Sequence, residues 1–252
     1  MALVCDLGSL DYRAAWSLQQ SLAEARAQGK IDDVLLLVEH PHTFTLGRSA
    51  SRDHLLWDAQ PCRLKGATVV EVDRGGDITY HGPGQLVAYP IRYLCEPDRT
   101  GRLPKVDYVG YLRQLEAVLI ETVAQFGVTA YRLAGFTGVW VGPQADPRKL
   151  AAIGVRVSGR GVSTHGVALN LTTDLSYFAG IVPCGIDDKG VTSLADLLST
   201  AAPSLDTTKA ALLAAFGLVF QEGLIAISPA DLRQRLLSET FPMSDLETHD
   251  HP

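Results

Sequence analysis

The chain has 252 residues, of which 46% are hydrophobic and 20% charged, a composition typical of a globular protein with a sizeable core. Its 22 basic and 28 acidic side chains give a net charge of −6, which argues against a general nucleic-acid binder because such proteins normally carry a basic excess. The longest apolar stretches, residues 34–38 and 210–220, are shorter than the roughly 20 residues that a membrane-spanning helix needs.

The first predicted element is a helix over residues 11–29, with Asp11 as a possible cap and Gly29 as a stop signal. The residues before it lack the basic start of a signal peptide, so we expect a cytoplasmic protein. The apolar run at residues 34–38 then predicts a buried strand.

The middle of the chain is rich in predicted strands, which lie in order at residues 68–72, 85–91, 128–132, 137–141, 150–157 and 165–171. The last four are too close together to contain crossover helices, so antiparallel pairing is favoured. The clearest helix covers residues 107–126, where apolar side chains recur at three- and four-residue intervals.

Helical patterns return near the C-terminus, at residues 193–198, 207–222 and 229–238. Residues 238–252 carry four acidic side chains and no Lys or Arg, which predicts a disordered tail. Since no repeat or linker interrupts the chain, we expect one α+β domain over residues 1–228, followed by a C-terminal helix and tail over residues 229–252.

The most unusual segment covers residues 74–91 and reads RGGDITYHGPGQLVAYPI. It is not a dinucleotide-binding loop, since it lacks GxGxxG and no helix pattern follows, and it lacks the GK[ST] ending of a P-loop. Its four glycines allow positive φ and close approach of a ligand to the main chain. A tight turn alone would need one or two glycines, so a binding segment is predicted.

This segment resembles the signature of the lipoyl(octanoyl) transferase family, also called lipoate–protein ligase B. Three further stretches resemble that family's motifs in the right order, namely EHPHTFTLGR at residues 39–48, KLAAIGVRVSGRGVSTHGVALN at 149–170 and IVPCG at 181–185. Two departures are His42, where many members have a second proline, and the tail beyond about Pro229.

The resemblance implies a biotin/lipoate protein ligase-like fold, a single α+β domain whose mixed, largely antiparallel sheet is flanked by helices. It also implies an acyltransferase that moves an octanoyl group from octanoyl-acyl carrier protein to a lysine of lipoyl domains, the first step of endogenous protein lipoylation. The acceptors would be lipoyl domains of 2-oxoacid dehydrogenases and the glycine cleavage H protein. No cofactor, metal, nucleic acid or membrane is expected to take part.

Transfer between two protein-bound groups is easier through a covalent relay, and a cysteine thioester is close in energy to the donor thioester. Of the four cysteines only Cys184, between a proline and a glycine, looks placed for this role, although a lone cysteine is usually a buried apolar residue. By the resemblance, its partner is Lys149, which would accept the thiol proton. A Cys–His pair with His81 or His165 is the competing interpretation.

The family's substrate contacts map onto residues of three segments, which would form a narrow apolar channel for the acyl chain: Arg74, Gly75, Gly76, Asp77, Ile78, Thr79, Tyr80, His81, Ala152, Ile153, Gly154, Gly166, Val167 and Ala168. His165 and Asn170 are expected to hold these residues in place without contacting the substrate themselves. We also expect the segment of residues 148–173, which has four basic residues and no Asp or Glu, to meet the carrier protein.

Two alternatives remain open at this stage. An ATP-dependent lipoate ligase has the same fold but forms an acyl-adenylate and does not need a nucleophilic cysteine. A non-catalytic module could instead bind lipoyl domains or acyl carrier protein without chemistry.

Overall fold

The computed structural model describes residues 1–95, 106–182 and 189–240. The strands are β1 (Ala2–Ser9), β2 (Asp33–Glu39), β3 (Thr43–Leu46), β4 (Thr68–Glu71), β5 (Ile78–His81), β6 (Gln85–Ile91), β7 (Val139–Val141), β8 (Arg148–Val157), β9 (Ser163–Asn170), β10 (Gly190–Val191) and β11 (Leu224–Ala226). The helices are α1 (Tyr12–Ala27), α2 (Ala59–Leu64), α3 (Tyr108–Ala124), α4 (Leu194–Leu198), α5 (Leu205–Phe220) and α6 (Pro229–Thr240), with 3-10 turns at Arg52–His54, Leu175–Gly180 and Ser199–Ala201.

The main sheet has eight strands in the order β10-β8-β9-β6-β2-β1-β11, with β7 paired to β8 as well. Its centre is antiparallel, from β8 through β9 and β6 to β2. Its margins are parallel, since β1 pairs with β2 and β11, and β10 pairs with β8. The predicted α+β domain with a mixed, antiparallel-rich sheet is therefore confirmed.

Helices cover both faces of this sheet, and the alternation of side chains along β2 separates the two cores. Leu35 and Leu37 pack in the cluster that includes α3 and α5. Leu36 and Val38 pack on the opposite face, in the cluster that includes α1 and Leu232 of α6. Because both faces are buried, β2 is a continuous apolar run, which is why its sequence pattern predicted a strand so clearly.

A second sheet of three strands, in the order β4-β3-β5, lies beside the main one. Its core is aromatic, with Phe44 and Tyr80 fully buried and Tyr177 stacked on Tyr80 at 4.9 Å between ring centroids. This small sheet matters for function because the glycine-rich segment runs from its edge into β5 and then into β6 of the main sheet.

Some predictions of elements were wrong. Residues 128–132 do not form a strand, and only Tyr131 pairs with Trp140 as an isolated bridge. The strand predicted at 137–141 begins at Val139 because Gly138 has a φ of +120°, which interrupts extended backbone. The sequence pattern also missed β1, β5, β11 and α2, which are short or depend on distant partners for their pairing.

The C-terminal helix is present as α6, and its Leu232 is fully buried against the domain. Residues 241–252 lie outside the described part of the chain, so the predicted disorder of the tail remains a prediction, as does the boundary after residue 228. Among the described helices, none is long and apolar enough to cross a bilayer.

Candidate active site

Two cavities adjoin at residues 152–154 of β8, which border both. The inner cavity has a volume of about 30 Å³ and is also lined by Tyr12, Arg74, Thr79, His81, Val87, Tyr89, His165, Gly166, Val167 and Ala168. The outer cavity has a volume of about 550 Å³ and is also lined by Ser49, Gly75, Gly76, Asp77, Tyr108, Leu112, Gly135, Phe136, Thr137 and Lys149. A small inner cavity therefore lies next to a much larger outer one, which we call the mouth.

The floor of the inner cavity consists of small side chains on three neighbouring strands. Ala152 of β8 pairs with Ala168 of β9, which in turn pairs with Val87 of β6. A Cβ on Gly154 would lie 3.1 Å from both Arg74 Cδ and the carbonyl oxygen of Gly75. Glycine is needed at 154 because it lets the glycine-rich segment lie directly on the sheet.

Arg74 forms one wall and is held rigidly. It is 6% exposed, its Nη2 donates to the Thr45 carbonyl oxygen at 2.6 Å, and its Nη1 donates to the Gly75 carbonyl oxygen at 3.0 Å. The Gly75 N–H donates to the Val155 carbonyl oxygen at 2.9 Å, which ties the segment to β8. The guanidinium is thus fixed between the two sheets beside the inner cavity.

His81 closes another side, and its tautomer follows from the groups behind it. The Asn170 amide nitrogen donates to the Thr192 carbonyl oxygen, so its Oδ1 faces Gln85 and accepts from Nε2 at 2.9 Å. Gln85 Oε1 is then left to accept from His81 Nδ1 at 2.8 Å, which leaves His81 Nε2 as an acceptor. Burial lowers the pKa of His81 well below its usual value, so the ring is neutral.

Further hydrogen-bonded rings lie at the inner cavity and next to its lining. His165 Nε2 donates to Asp73 Oδ1 at 2.7 Å, and burial lowers the pKa of His165. The residue has a φ of +57°, a strained value for a side chain of this kind, and its N–H donates to Gln19 Oε1 at 2.7 Å. His40, whose ring centroid lies 5.8 Å from that of His81, accepts from the Tyr89 hydroxyl at 2.8 Å, and burial lowers the pKa of His40 to about 4.

Lys149 borders the outer cavity and is only 8% exposed. Its backbone is held between two strands, since it pairs with Trp140 of β7 and Val191 of β10. Its carbonyl oxygen also accepts from the Thr192 N–H at 3.0 Å, so the network behind His81 reaches the strand that carries this lysine. The lysine is therefore presented to the outer cavity by a rigid backbone.

The structure brings most of the predicted residues together. Arg74, Thr79, His81 and residues 166–168 line the inner cavity, and Gly75, Gly76, Asp77 and Lys149 line the outer one. Asn170 bonds Gln85 and lies outside the lining of the inner cavity, whereas His165 borders that cavity directly. Cys184 lies outside the described residues.

Ile78 and Tyr80 border neither cavity. Both are fully buried in the core of the small sheet, because strand alternation turns them away from Thr79 and His81. Conversely, Tyr12, Gln85, Val87 and Tyr89 were missed. Alternation along β6 could have indicated Val87 and Tyr89, but only the fold brings Tyr12 to the cavity.

The predicted basic surface is largely neutralised within the chain. Arg156 pairs with Asp73 at 2.8 Å, Arg148 lies 3.5 Å from Asp146, and Arg160 forms an ion pair with Glu24. The segment of residues 148–173 therefore presents less uncompensated positive charge than its sequence indicated.

Comparison with known proteins identifies the family of the chain. The lipoyl protein ligase A/B catalytic domain matches residues 11–217. An octanoyltransferase of Acidobacterium capsulatum is 47% identical over 93% of this chain and 96% of that protein. One from Chloroflexus aggregans is 48% identical over 79% of this chain and 86% of that protein.

Solved structures share the fold at low identity. A bipartite lipoate protein ligase of Thermoplasma acidophilum superposes with a TM-score of 0.71 at 17% identity, covering 95% of this chain and 91% of that one. A lipoate-protein ligase A bound with ATP gives a TM-score of 0.69 at 16% identity, covering 95% and 94%. With these relatives and the two adjoining cavities, the chain belongs to the octanoyltransferases, acyltransferases of the lipoyl protein ligase A/B catalytic family.

Proposed function

We propose that the chain moves an octanoyl group from octanoyl-acyl carrier protein to a lysine of lipoyl domains, through a thioester on Cys184 with Lys149 as the proton acceptor. The observation that carries this proposal is the arrangement of the two cavities. The alanine and glycine floor of the inner cavity offers an apolar surface along which an acyl chain can lie, and Lys149 borders the larger cavity that adjoins it.

In the first half-reaction, Lys149 Nζ accepts the proton of the Cys184 thiol, and the thiolate attacks the carbonyl carbon of the donor thioester. The carbon–sulfur bond to the carrier protein breaks, and the released thiolate takes up the proton. A cysteine–octanoyl thioester remains. This exchange of one thioester for another needs no external energy source.

In the second half-reaction, the neutral amine of the acceptor lysine attacks the thioester carbon and the bond to Cys184 Sγ breaks. The amine loses one proton as the amide forms; Lys149 accepts that proton and returns it to the departing Cys184 Sγ, which restores the free thiol. Because donor and acceptor use the same mouth in turn, one site serves both half-reactions.

The placement of the histidines favours this pair over a Cys–His pair. His81 Nδ1 is committed to Gln85, and His165 Nε2 is committed to Asp73. Both rings lie at the inner cavity, on the side where the acyl chain is expected, whereas Lys149 borders the outer cavity.

The nature of the relatives' partners supports the acceptor class. The Thermoplasma acidophilum structure is described as a lipoate protein ligase with its E2 lipoyl domain. Lipoyl domains of 2-oxoacid dehydrogenases and the glycine cleavage H protein are the acceptors that we propose here.

An ATP-free transfer assay tests the proposal against the ATP-dependent alternative. The purified chain is mixed with octanoyl-acyl carrier protein and an unmodified lipoyl domain, and the domain is weighed by mass spectrometry. We expect a mass increase of one octanoyl group without ATP, and no increase when free octanoate replaces the donor. Strict dependence on ATP would contradict the proposal, and absence of transfer with either donor would favour the binding module.

A further inference from the structure

The surroundings of the Lys149 amine contain a residue to which neither the sequence analysis nor the proposed function gives a role. Lys149 Nζ lies 4.9 Å from the centroid of the Trp140 ring. Trp140 is the direct cross-strand partner of Lys149 in the pairing of β7 with β8. The contact is therefore built into the register of the sheet.

The indole cannot turn away from the lysine. Trp140 is 1% exposed, and its backbone forms two hydrogen bonds with Tyr131, at 2.8 and 3.0 Å. Phe136 packs edge-to-face on it at 5.8 Å between ring centroids. The loop between them is anchored from behind, since the Gly138 N–H donates to Oε1 of the fully buried Glu116 at 3.3 Å.

A tryptophan is an unfavourable choice here on packing grounds alone. Its Nε1–H is buried without a hydrogen-bond partner in the described part of the chain, and an unpaired buried donor destabilises a fold. An apolar residue of similar size would avoid that loss. The face of an indole, however, attracts an ammonium group more strongly than any other side-chain ring does.

Other charged and titratable groups lie on the elements near Lys149. Those on the elements packed around Lys149 are Asp77, Tyr108, Glu116, Asp146, Arg148 and Lys189. Glu116 is engaged by Arg113 and Arg132, and Arg148 lies near Asp146. Lys189 Nζ lies 4.9 Å from the Phe136 centroid, so a second cation rests on the same pair of rings.

We propose that Trp140 is a positioning residue that holds the Lys149 side chain at the outer cavity and stabilises its ammonium form. The inference rests on the proposed role of Lys149: a lysine that takes a thiol proton becomes an ammonium, and the indole lowers the energy of that state inside a buried site. Trp140 acts through Lys149 and does not itself touch the reacting atoms.

Chemical labelling of Lys149 tests this without relying on transfer activity. Full-length wild type, Trp140→Leu and Trp140→Phe are labelled with trace acetic anhydride across a pH series, and modification of Lys149 is measured by peptide mass spectrometry. Because only the neutral amine reacts, we expect the midpoint for Trp140→Leu to move to lower pH, with roughly three- to tenfold more reactive amine at a given pH below the midpoint. Trp140→Phe should move the midpoint less, in the same direction.

Easier access of the reagent would raise the labelling plateau but leave the midpoint in place, which separates an electrostatic from a merely structural role. Tyr131→Phe is the matched control, since it also removes a buried unpaired donor beside the same loop but leaves the ring on Lys149. An unchanged midpoint in Trp140→Leu would overturn the proposal. If that variant does not fold, an unchanged midpoint in Trp140→Phe would overturn it equally.

The pH profile of transfer keeps this inference distinct from the proposed function. A labelling midpoint that moves together with the transfer profile supports both. A labelling midpoint that moves while the transfer profile does not would support the contact of Trp140 with Lys149 and contradict the catalytic role of Lys149.

Discussion

The inner and outer cavities are neighbours that are built in different ways. Three adjacent strands form the inner one, and its histidine rings are held by hydrogen bonds such as His81 to Gln85 and His165 to Asp73. The outer one is bordered mainly by turns and segment ends, such as residues 75–77 and 135–137, with Lys149 on the one strand that both cavities share. The difference teaches that β8 gives both cavities a fixed side and holds Lys149 in place, whereas the rest of the outer cavity is formed by segments that diverge more readily.

The most damaging change should be in the outer cavity. Lys149→Met keeps the buried aliphatic stem but removes the amine, so transfer should fall by about a hundredfold or more, the usual effect of losing a general base. Thermal unfolding should change little. Arg148→Gln, a change at the exposed neighbouring residue, is the control and should keep near wild-type activity. A near wild-type rate for Lys149→Met would remove Lys149 from the mechanism.

Acid should lower the free energy of unfolding through His40, which lies next to the inner cavity. Burial lowers the pKa of His40 to about 4 from 6.5, so the native state binds fewer protons than the unfolded chain between these values. The resulting stability is fully present above pH 6.5 and is lost as the pH falls towards 4, an effect of about 3 kcal/mol for this residue. Urea unfolding at pH 7.5 and 4.5 measures it. His40→Gln should flatten the slope, and an equal slope in that variant would exclude His40 as its source.

Narrowing the inner cavity should change the preference for acyl chain length and leave the transfer reaction itself intact. Ala168→Val adds two methyl groups to the floor beside Val87 and Ala152. At about 0.8 kcal/mol for each methylene, excluding two methylenes should lower the kcat/KM ratio of octanoyl to hexanoyl donors by roughly tenfold. Ala210→Val, the same change at an exposed helical position, should leave the ratio unchanged. A ratio unchanged by Ala168→Val would mean that the chain binds elsewhere.

The smallest effect should come from a position outside both cavities. Arg160 pairs with Glu24 on the surface, and each side chain is about half exposed. Exposed pairs contribute little, so Arg160→Ala should change the free energy of unfolding by less than about 1 kcal/mol. Transfer and its dependence on salt concentration should stay close to wild type. A clear loss of transfer at low salt would restore the idea that this segment meets the carrier protein.

The sequence predicted elements with strong local signals and missed those defined by distant partners. The helix α3 repeats apolar residues at helical spacing, and β8 and β9 carry extended apolar patterns, so all three were predicted near their observed bounds. By contrast, β11 has three residues and exists as a strand only because β1 pairs with it. Residues 128–132 are the opposite case. Their sequence has a strand-like pattern, but the fold gives them only one pairing, between Tyr131 and Trp140, so no strand forms.

The site was predicted by resemblance more than by physical pattern. Nothing in the spacing of Lys149 or Cys184 separates them from an ordinary surface lysine and buried cysteine, so the motifs were needed to single them out. Strand alternation could have separated Thr79 and His81 from Ile78 and Tyr80, had β5 been assigned. The approach of Tyr12 from α1, and that of Trp140 to Lys149, depend on tertiary packing and strand register that one sequence does not encode locally.

The central claim, an acyl-enzyme on Cys184, is tested most directly by intact-mass analysis of the protein during turnover with octanoyl-acyl carrier protein and no acceptor. The account predicts a mass increase of one octanoyl group that is reversed by hydroxylamine and lost in Cys184→Ser. Cys62→Ser and Cys5→Ser should keep the adduct. No adduct on the wild-type chain, under conditions in which transfer to a lipoyl domain proceeds, would contradict the account.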